Sequence, residues 1–193
     1  MSSTPRILAF GGSLRRASFN QQLARVAAEG ARQAGATVTV VELRGFPMPI
    51  YDEELEREQG LPEHARRFKA LLKEHDGLLI ASPEYNSSIS AALKNAIDWA
   101  SRAEGGEKPL ACFAGKVAGL LAASPGALGG LRGLVTVRSI LSNIQVFVLP
   151  DQLAVGTAHA AFDAEGRLKD EKQQAAALRI GARVAEVARK LAG

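Results

Sequence analysis

Five short apolar runs, each stopped by glycine, proline or small polar residues, govern what this chain can become. They are Arg6-Ile-Leu-Ala-Phe10, Thr37-Val-Thr-Val-Val41, Gly77-Leu-Leu-Ile-Ala81, Lys116-Val-Ala-Gly-Leu-Leu-Ala122 and Gln145-Val-Phe-Val-Leu149. Runs this apolar predict strands buried on both faces, as in a parallel sheet. Helical periods lie between them. Ser18 to Ala34 places Leu23, Val26, Ala27, Ala31 and Ala34 on one stripe, with Gly35 just past its end. Pro62 suits the first position of a helix presenting Ala65, Phe68, Leu72 and His75. Further helices are predicted over Ala91–Arg102, Leu131–Leu141 and Asp170–Leu191, the last with Leu178, Val184, Ala185, Ala188 and Leu191 in register. Residues 44–61, with Gly45, Pro47, Pro49 and a patch of charge, read as loop, and Pro150 reads as the end of the fifth strand. Strands alternating with helices imply a fold of class α/β, three layers with a parallel sheet between helices. Residues 1–193 read as one domain, without repeat or linker.

Charge and composition remove several functions. The 24 Lys and Arg against 20 Asp and Glu leave a net charge of +4, but no basic run exceeds a pair and only 5% of residues are aromatic. That is no nucleic-acid surface, which concentrates cations and interleaves aromatics, although it suits small anionic ligands. The longest apolar stretch, Val117 to Ala123, falls far short of the roughly 18 residues that cross a bilayer. The segment Met1–Arg6 lacks the apolar core of a signal peptide. A single cysteine, Cys112, allows no internal disulfide and points to a cytoplasmic home. It reads as a small buried apolar residue, and His64, His75 and His159 lack metal spacing, so no metal site is expected. His75 reads as a helix end.

Ligands of open α/β sheets bind beyond the carboxyl ends of the strands. Three loops there have unusual composition. In Gly11-Gly-Ser-Leu-Arg-Arg-Ala-Ser-Phe-Asn20, glycines allow a sharp turn into a helix start, and Ser13, Ser18, Asn20 and Arg15 or Arg16 offer donors for a phosphate. Ser18 as a plain helix cap is the simpler reading. It is neither a P-loop nor the G-x-G-x-x-G dinucleotide loop. Ser82-Pro-Glu-Tyr-Asn-Ser-Ser88 suits a rigid edge against a planar heterocycle; Glu84 as an acid or base, Tyr85 as an apolar cover, and a plain turn stand beside that reading. Ser124-Pro-Gly-Ala-Leu-Gly-Gly-Leu-Arg-Gly133 permits close backbone approach, or is simply a flexible loop.

Together, Gly12-Ser-Leu-Arg15 with Ser18-Phe-Asn20, Pro83-Glu-Tyr-Asn86 and Leu93-Lys-Asn-Ala-Ile-Asp-Trp99 resemble the NADPH-dependent FMN reductases, a family that includes flavin, quinone, chromate and azo-dye reductases. The resemblance covers roughly residues 6 to 150. It implies a flavodoxin-like fold, a five-stranded parallel sheet in order 2-1-3-4-5 with non-covalent FMN at its carboxyl edge. Ser13, Arg15, Ser18 and Asn20 would hold the FMN phosphate; Pro83, Glu84, Tyr85 and Asn86 would line the ring; Ser124 and Gly126, with Gly129, would close the other side. Two departures are Ser90 and Ala91, where the family commonly has Pro and Gly, and the paired Arg15 and Arg16. The implied activity carries electrons from NADPH or NADH to quinone, flavin, chromate or azo acceptors by ping-pong turnover, with the chemistry at flavin N5 and no catalytic side chain. The alternative is a flavodoxin-type electron carrier. A homodimer or homotetramer is expected, on the resemblance and on the small residues Ala91, Ala92 and Ala96 beside Trp99.

Overall fold

The computed structural model describes residues 4–191. The start of the segment read as lacking a signal peptide (residues 1–3), and the last two residues of the span read as one domain, lie outside the described residues. Five strands form the main sheet: β1 (Arg6–Gly11), β2 (Thr37–Glu42), β3 (Gly77–Ala81), β6 (Val117–Ala123) and β7 (Phe147–Val155). All pair in parallel, in the order β2-β1-β3-β6-β7, the flavodoxin-like 2-1-3-4-5 arrangement. A two-stranded antiparallel hairpin, β4 (Glu84–Tyr85) and β5 (Ser88–Ile89), stands at the carboxyl rim.

Alternate strand residues feed two cores. Ile7, Ala9, Leu79, Ala81 and Leu121 pack against α1 (Phe19–Gln33) and α7 (Glu171–Leu191). Leu8, Phe10, Leu78, Ile80 and Leu120 pack against α3 (Glu63–Glu74), α4 (Ala91–Ala100) and α5 (Leu131–Asn143). Helices α1 and α7 approach until backbones touch. A Cβ on Gly30 would lie 1.9 Å from the Leu178 carbonyl oxygen, and one on Gly181 would lie 1.8 Å from that of Ala27. Only glycine permits this crossing.

Several expectations need correction. The stretch 44–61 is not all loop: α2 (Glu53–Gln59) begins on Asp52, whose carboxylate accepts the Glu54 and Leu55 N–H groups, and ends at Gly60. None of its residues is buried, so no apolar period marks it. The fifth strand runs through Pro150 to Val155. As an edge strand β7 has one side without a partner, and the register slips between Ala118 and Leu120, which face Val148 and Gln152. Pro62 is the N-cap rather than the first helical residue and Leu191 is exposed, whereas His75 does end its helix, as the C-cap. A further short helix, α6 (Ala158–Ala161), follows β7. Finally, Ala96 and Trp99 do not face outward. Trp99 is fully buried, its indole N–H donates to the Pro49 carbonyl at 2.8 Å, and Tyr51 packs on its edge. No described helix is long and apolar enough to cross a membrane.

Candidate functional site

The first loop leaves β1 at Gly11, whose N–H is taken by the Gln21 side chain at 2.9 Å, while Gly12 N–H reaches Ala81 O. Ser18 caps α1 by accepting the Gln21 N–H at 3.2 Å. Asn20 is buried and is spent on the end of β6: it donates to Ala123 O at 2.8 Å and accepts Ala123 N–H at 2.9 Å. Ser90 caps α4 and donates to Gly12 O at 2.5 Å, so the serine that departs from the family pattern both starts its helix and ties it to the first loop. Against these paired groups, the N–H groups of Ser13 and Leu14 in the loop, and of Phe19 and Asn20 in the first turn of α1, meet no acceptor among the described residues. Arg15 stands beside them, its guanidinium 5.9 Å from the Phe19 ring centroid. Free N–H groups at a helix start and a guanidinium fit an anion with several acceptor oxygens, such as the phosphate of FMN.

Two clefts open at this rim. One, of about 490 Å³, is lined by Gly12, Ser13, Leu14, Arg15, Tyr85, Ser90, Ala91 and Ala92. The other, of about 160 Å³, lies among Ser13, Arg15, Ser18, Asn20, Pro83, Glu84, Tyr85 and Ser124 with Phe19, Ala123 and Pro125. Ser13, Arg15 and Tyr85 border both, and their joint size is that of a small-molecule site. Eight of the eleven residues singled out from sequence therefore meet here, and Gly129, left-handed beside Val155 and Gly156, lines neither cleft. Asn86 and Gly126 sit at the rim without lining either cleft: Asn86 turns the hairpin with Ser87, both left-handed, and Gly126 donates its N–H to Ser124 Oγ. Of the arginine pair, Arg15 lines both clefts and Arg16 neither. Leu14, Phe19, Ala91 and Ala92 line the clefts without being legible as ligand residues, because apolar side chains carry no chemical signature; adjacency to the motifs is their one signal.

Glu84 turns its carboxylate toward α5. It accepts from Arg132 Nε at 3.0 Å and Nη2 at 2.7 Å, and from Gly133 N–H at 2.9 Å. Burial pushes its pKa up, but the Gly133 and Arg132 hydrogen bonds outweigh that and hold it below the usual carboxylate value. Elsewhere, Cys112 is buried and burial pushes its thiol pKa up, while His75 is buried with Nδ1 donating to Leu71 O and Nε2 on Thr39 Oγ1. Among the described residues no cluster of three or more His, Cys, Asp or Glu is placed to hold a metal ion.

A parallel sheet in this order with an anion cradle on its first loop defines the class: a flavodoxin-like mononucleotide-binding protein. Residues 5–160 match the NADPH-dependent FMN reductase family, and the chain belongs to it. It is 38% identical over 173 residues to an NAD(P)H-dependent FMN reductase of Pseudomonas aeruginosa, covering 89% of each chain. It is 36% identical over 162 residues to a 2-hydroxy-1,4-benzoquinone reductase of Burkholderia, covering 83% of each. Among solved structures, a flavoenzyme NAD(P)H:(acceptor) oxidoreductase of Paracoccus denitrificans superposes with a TM-score of 0.80 at 26% identity, over 97% of this chain and 98% of that one. An archaeal flavodoxin shares the fold at a TM-score of 0.64 and 11% identity, over 95% of this chain and 98% of that one. The protein is an oxidoreductase that works with FMN and a reduced nicotinamide. The carrier alternative is set aside.

Proposed function

We propose that the rim clefts hold FMN non-covalently and that the protein carries electrons from NADPH or NADH to small acceptors, quinones foremost and also free flavins, chromate and azo dyes. The observation that carries the placement is Arg15 and four N–H groups without acceptors, all on the loop and helix start that border both rim clefts. Ser13, Arg15 and Ser18 bind the phosphate, and Asn20 holds the cradle against β6. Pro83, Glu84 and Tyr85 line the ring, Ser124 closes the far side, and Asn86 and Gly126 border it from the rim. FMN, when bound, supplies hydride acceptance and electron donation at N5.

The chain's own part is placement. The Glu84 carboxylate is taken up by Arg132 and Gly133, and the other titratable side chains on the clefts are Arg15 and Tyr85; no catalytic acid is assigned to the protein, the chemistry being that of flavin N5. Leu14, Tyr85, Ala91 and Ala92 wall the larger cleft and favour planar, largely apolar acceptors such as quinones. Donor and acceptor share that one opening, which requires one to leave before the other enters: ping-pong turnover. Residues 1–193 work as one FMN-binding unit, in the cytoplasm, without nucleic-acid or membrane partners. A homodimer or homotetramer is supported by exposed apolar Leu131 and Val135 on α5 and Leu128 in the turn before it; sedimentation as a monomer at micromolar concentration refutes it.

The test is the purified protein itself. It should be yellow, release FMN on denaturation, and oxidise NADPH when a benzoquinone is added. Initial rates at varied NADPH and quinone should give parallel double-reciprocal lines. Intersecting lines would refute the shared opening, and a colourless protein that takes up no FMN refutes the placement.

A further inference from the structure

Helix α5 begins without a cap of its own. Its N-cap residue is Gly130, left-handed at φ 91°, which has no side chain to accept a first-turn N–H. A helix start leaves four N–H groups without internal acceptors. The missing acceptor comes from 49 residues earlier, where Glu84 Oε2 takes the Gly133 N–H while Oε1 takes the Arg132 guanidinium. The Glu84 side chain is 8% exposed. A Cβ at position 133 would stand 3.4 Å from both Glu84 Cβ and the Ser88 carbonyl oxygen, an ordinary contact, so the approach of helix to hairpin rests on the carboxylate's hydrogen bonds rather than on a missing side chain.

The hairpin that carries Glu84 has two residues in each strand and turns through left-handed Asn86 and Ser87. A two-stranded ribbon so short has no stability of its own. Among the described residues, no other side-chain hydrogen bond joins it to α5. We propose that Glu84 is a positioning residue: by capping α5 across the rim it fixes the hairpin, and with it the Tyr85 wall of the cleft, and so sets the affinity for FMN and for the acceptor. The proposal rests on the reading of the rim as the FMN site. The lowered pKa agrees with it, since an ionised carboxylate caps a helix start well and has no proton to deliver.

The experiment titrates FMN into the apoprotein of wild type, Glu84→Ala, Glu84→Gln and Arg132→Ala by fluorescence quenching. Amide exchange over 84–89 and 130–134 and steady-state rates with NADPH and a benzoquinone accompany it. Glu84→Ala should raise the Kd for FMN about tenfold and speed exchange in both segments, the size expected for losing a charge-assisted bond. Glu84→Gln, which keeps a neutral acceptor for Gly133, should recover to within about threefold of wild type. Arg132→Ala, which keeps the N–H bond, should fall between. The loss should appear in the quinone KM more than in kcat, with the pH profile of kcat unmoved. Wild-type Kd and exchange in Glu84→Ala overturn the proposal, as does loss of kcat in Glu84→Gln with the Kd unchanged, which would mark proton transfer instead. Should Glu84→Ala fail to fold, Glu84→Gln and Arg132→Ala both at the wild-type Kd overturn it equally. Wild type that takes up no FMN brings down the reading of the rim, visibly, before any variant is compared.

Discussion

Where α1 crosses α7, glycine alone lets two segments approach; where α5 meets the rim hairpin, a side chain would fit, and what holds each seam differs. The first is backbone against backbone: Gly30 and Gly181 leave no volume, and the neighbours are alanine and leucine, all from the apolar core. The second is spaced by about one methyl group and held by a carboxylate on an N–H and a guanidinium. A seam closed by volume has one solution and resists change. A seam closed by hydrogen bonds depends on a few named groups, and it lies on the wall of the cleft. Fold and site are therefore secured by different physics within one molecule.

The comparison breaks most easily at the first seam. Gly181→Ala should cost more than about 3 kcal/mol in urea unfolding, because the new methyl would overlap a backbone carbonyl that cannot rotate away. A shift below about 1 kcal/mol would mean that the helices slide freely. A third seam, between α3 and residues 102–107, is ionic: buried Lys69 donates to Glu107 at 2.9 Å and to Arg102 O at 2.5 Å, and Lys73 shares the carboxylate. Glu107→Ala leaves the buried Lys69 ammonium without a counter-ion, on the Arg102 carbonyl alone, and should cost about 2 kcal/mol near neutral pH. Hydrogen bonds from Lys73 and Lys69 hold the Glu107 pKa at about 2, against 4.5 ordinarily. Its contribution is thus complete above pH 4.5 and is lost as pH falls toward 2, so the two proteins should converge in stability over that window. Arg15→Ala leaves every seam intact. It should raise the Kd for FMN about tenfold while the apoprotein's unfolding midpoint stays in place. The smallest effect belongs to Gly133→Ala, within about 1 kcal/mol in stability, since the new methyl makes ordinary contacts and helix propensity improves.

What the sequence revealed follows from burial. β1, β3 and β6 are enclosed on both faces, so their composition betrays them. β7 was cut short because proline was read as a barrier, though an edge strand has a side that needs no donor. α2 buries nothing and so shows no apolar period; Asp52 before three glutamates was the legible trace. The hairpin is too short for any periodicity, and Asn86 hinted only at a turn. The alanine face of α4 looked like a contact for another subunit because the covering segment, Pro49 and Tyr51, lies in a stretch with no pattern at all. At the rim, charged and hydroxyl groups could be picked out as ligand donors. That the Asn20 amide and the Glu84 carboxylate point at protein could not, because their partners lie 103 and 49 residues away.

The Asn20 side chain imitates a peptide group, giving and taking one bond each with the Ala123 backbone. It therefore acts as a splice between the turn after β1 and the turn after β6, which no strand pairing joins directly. Both spliced residues line the smaller cleft, so its walls cannot part without giving up two buried hydrogen bonds.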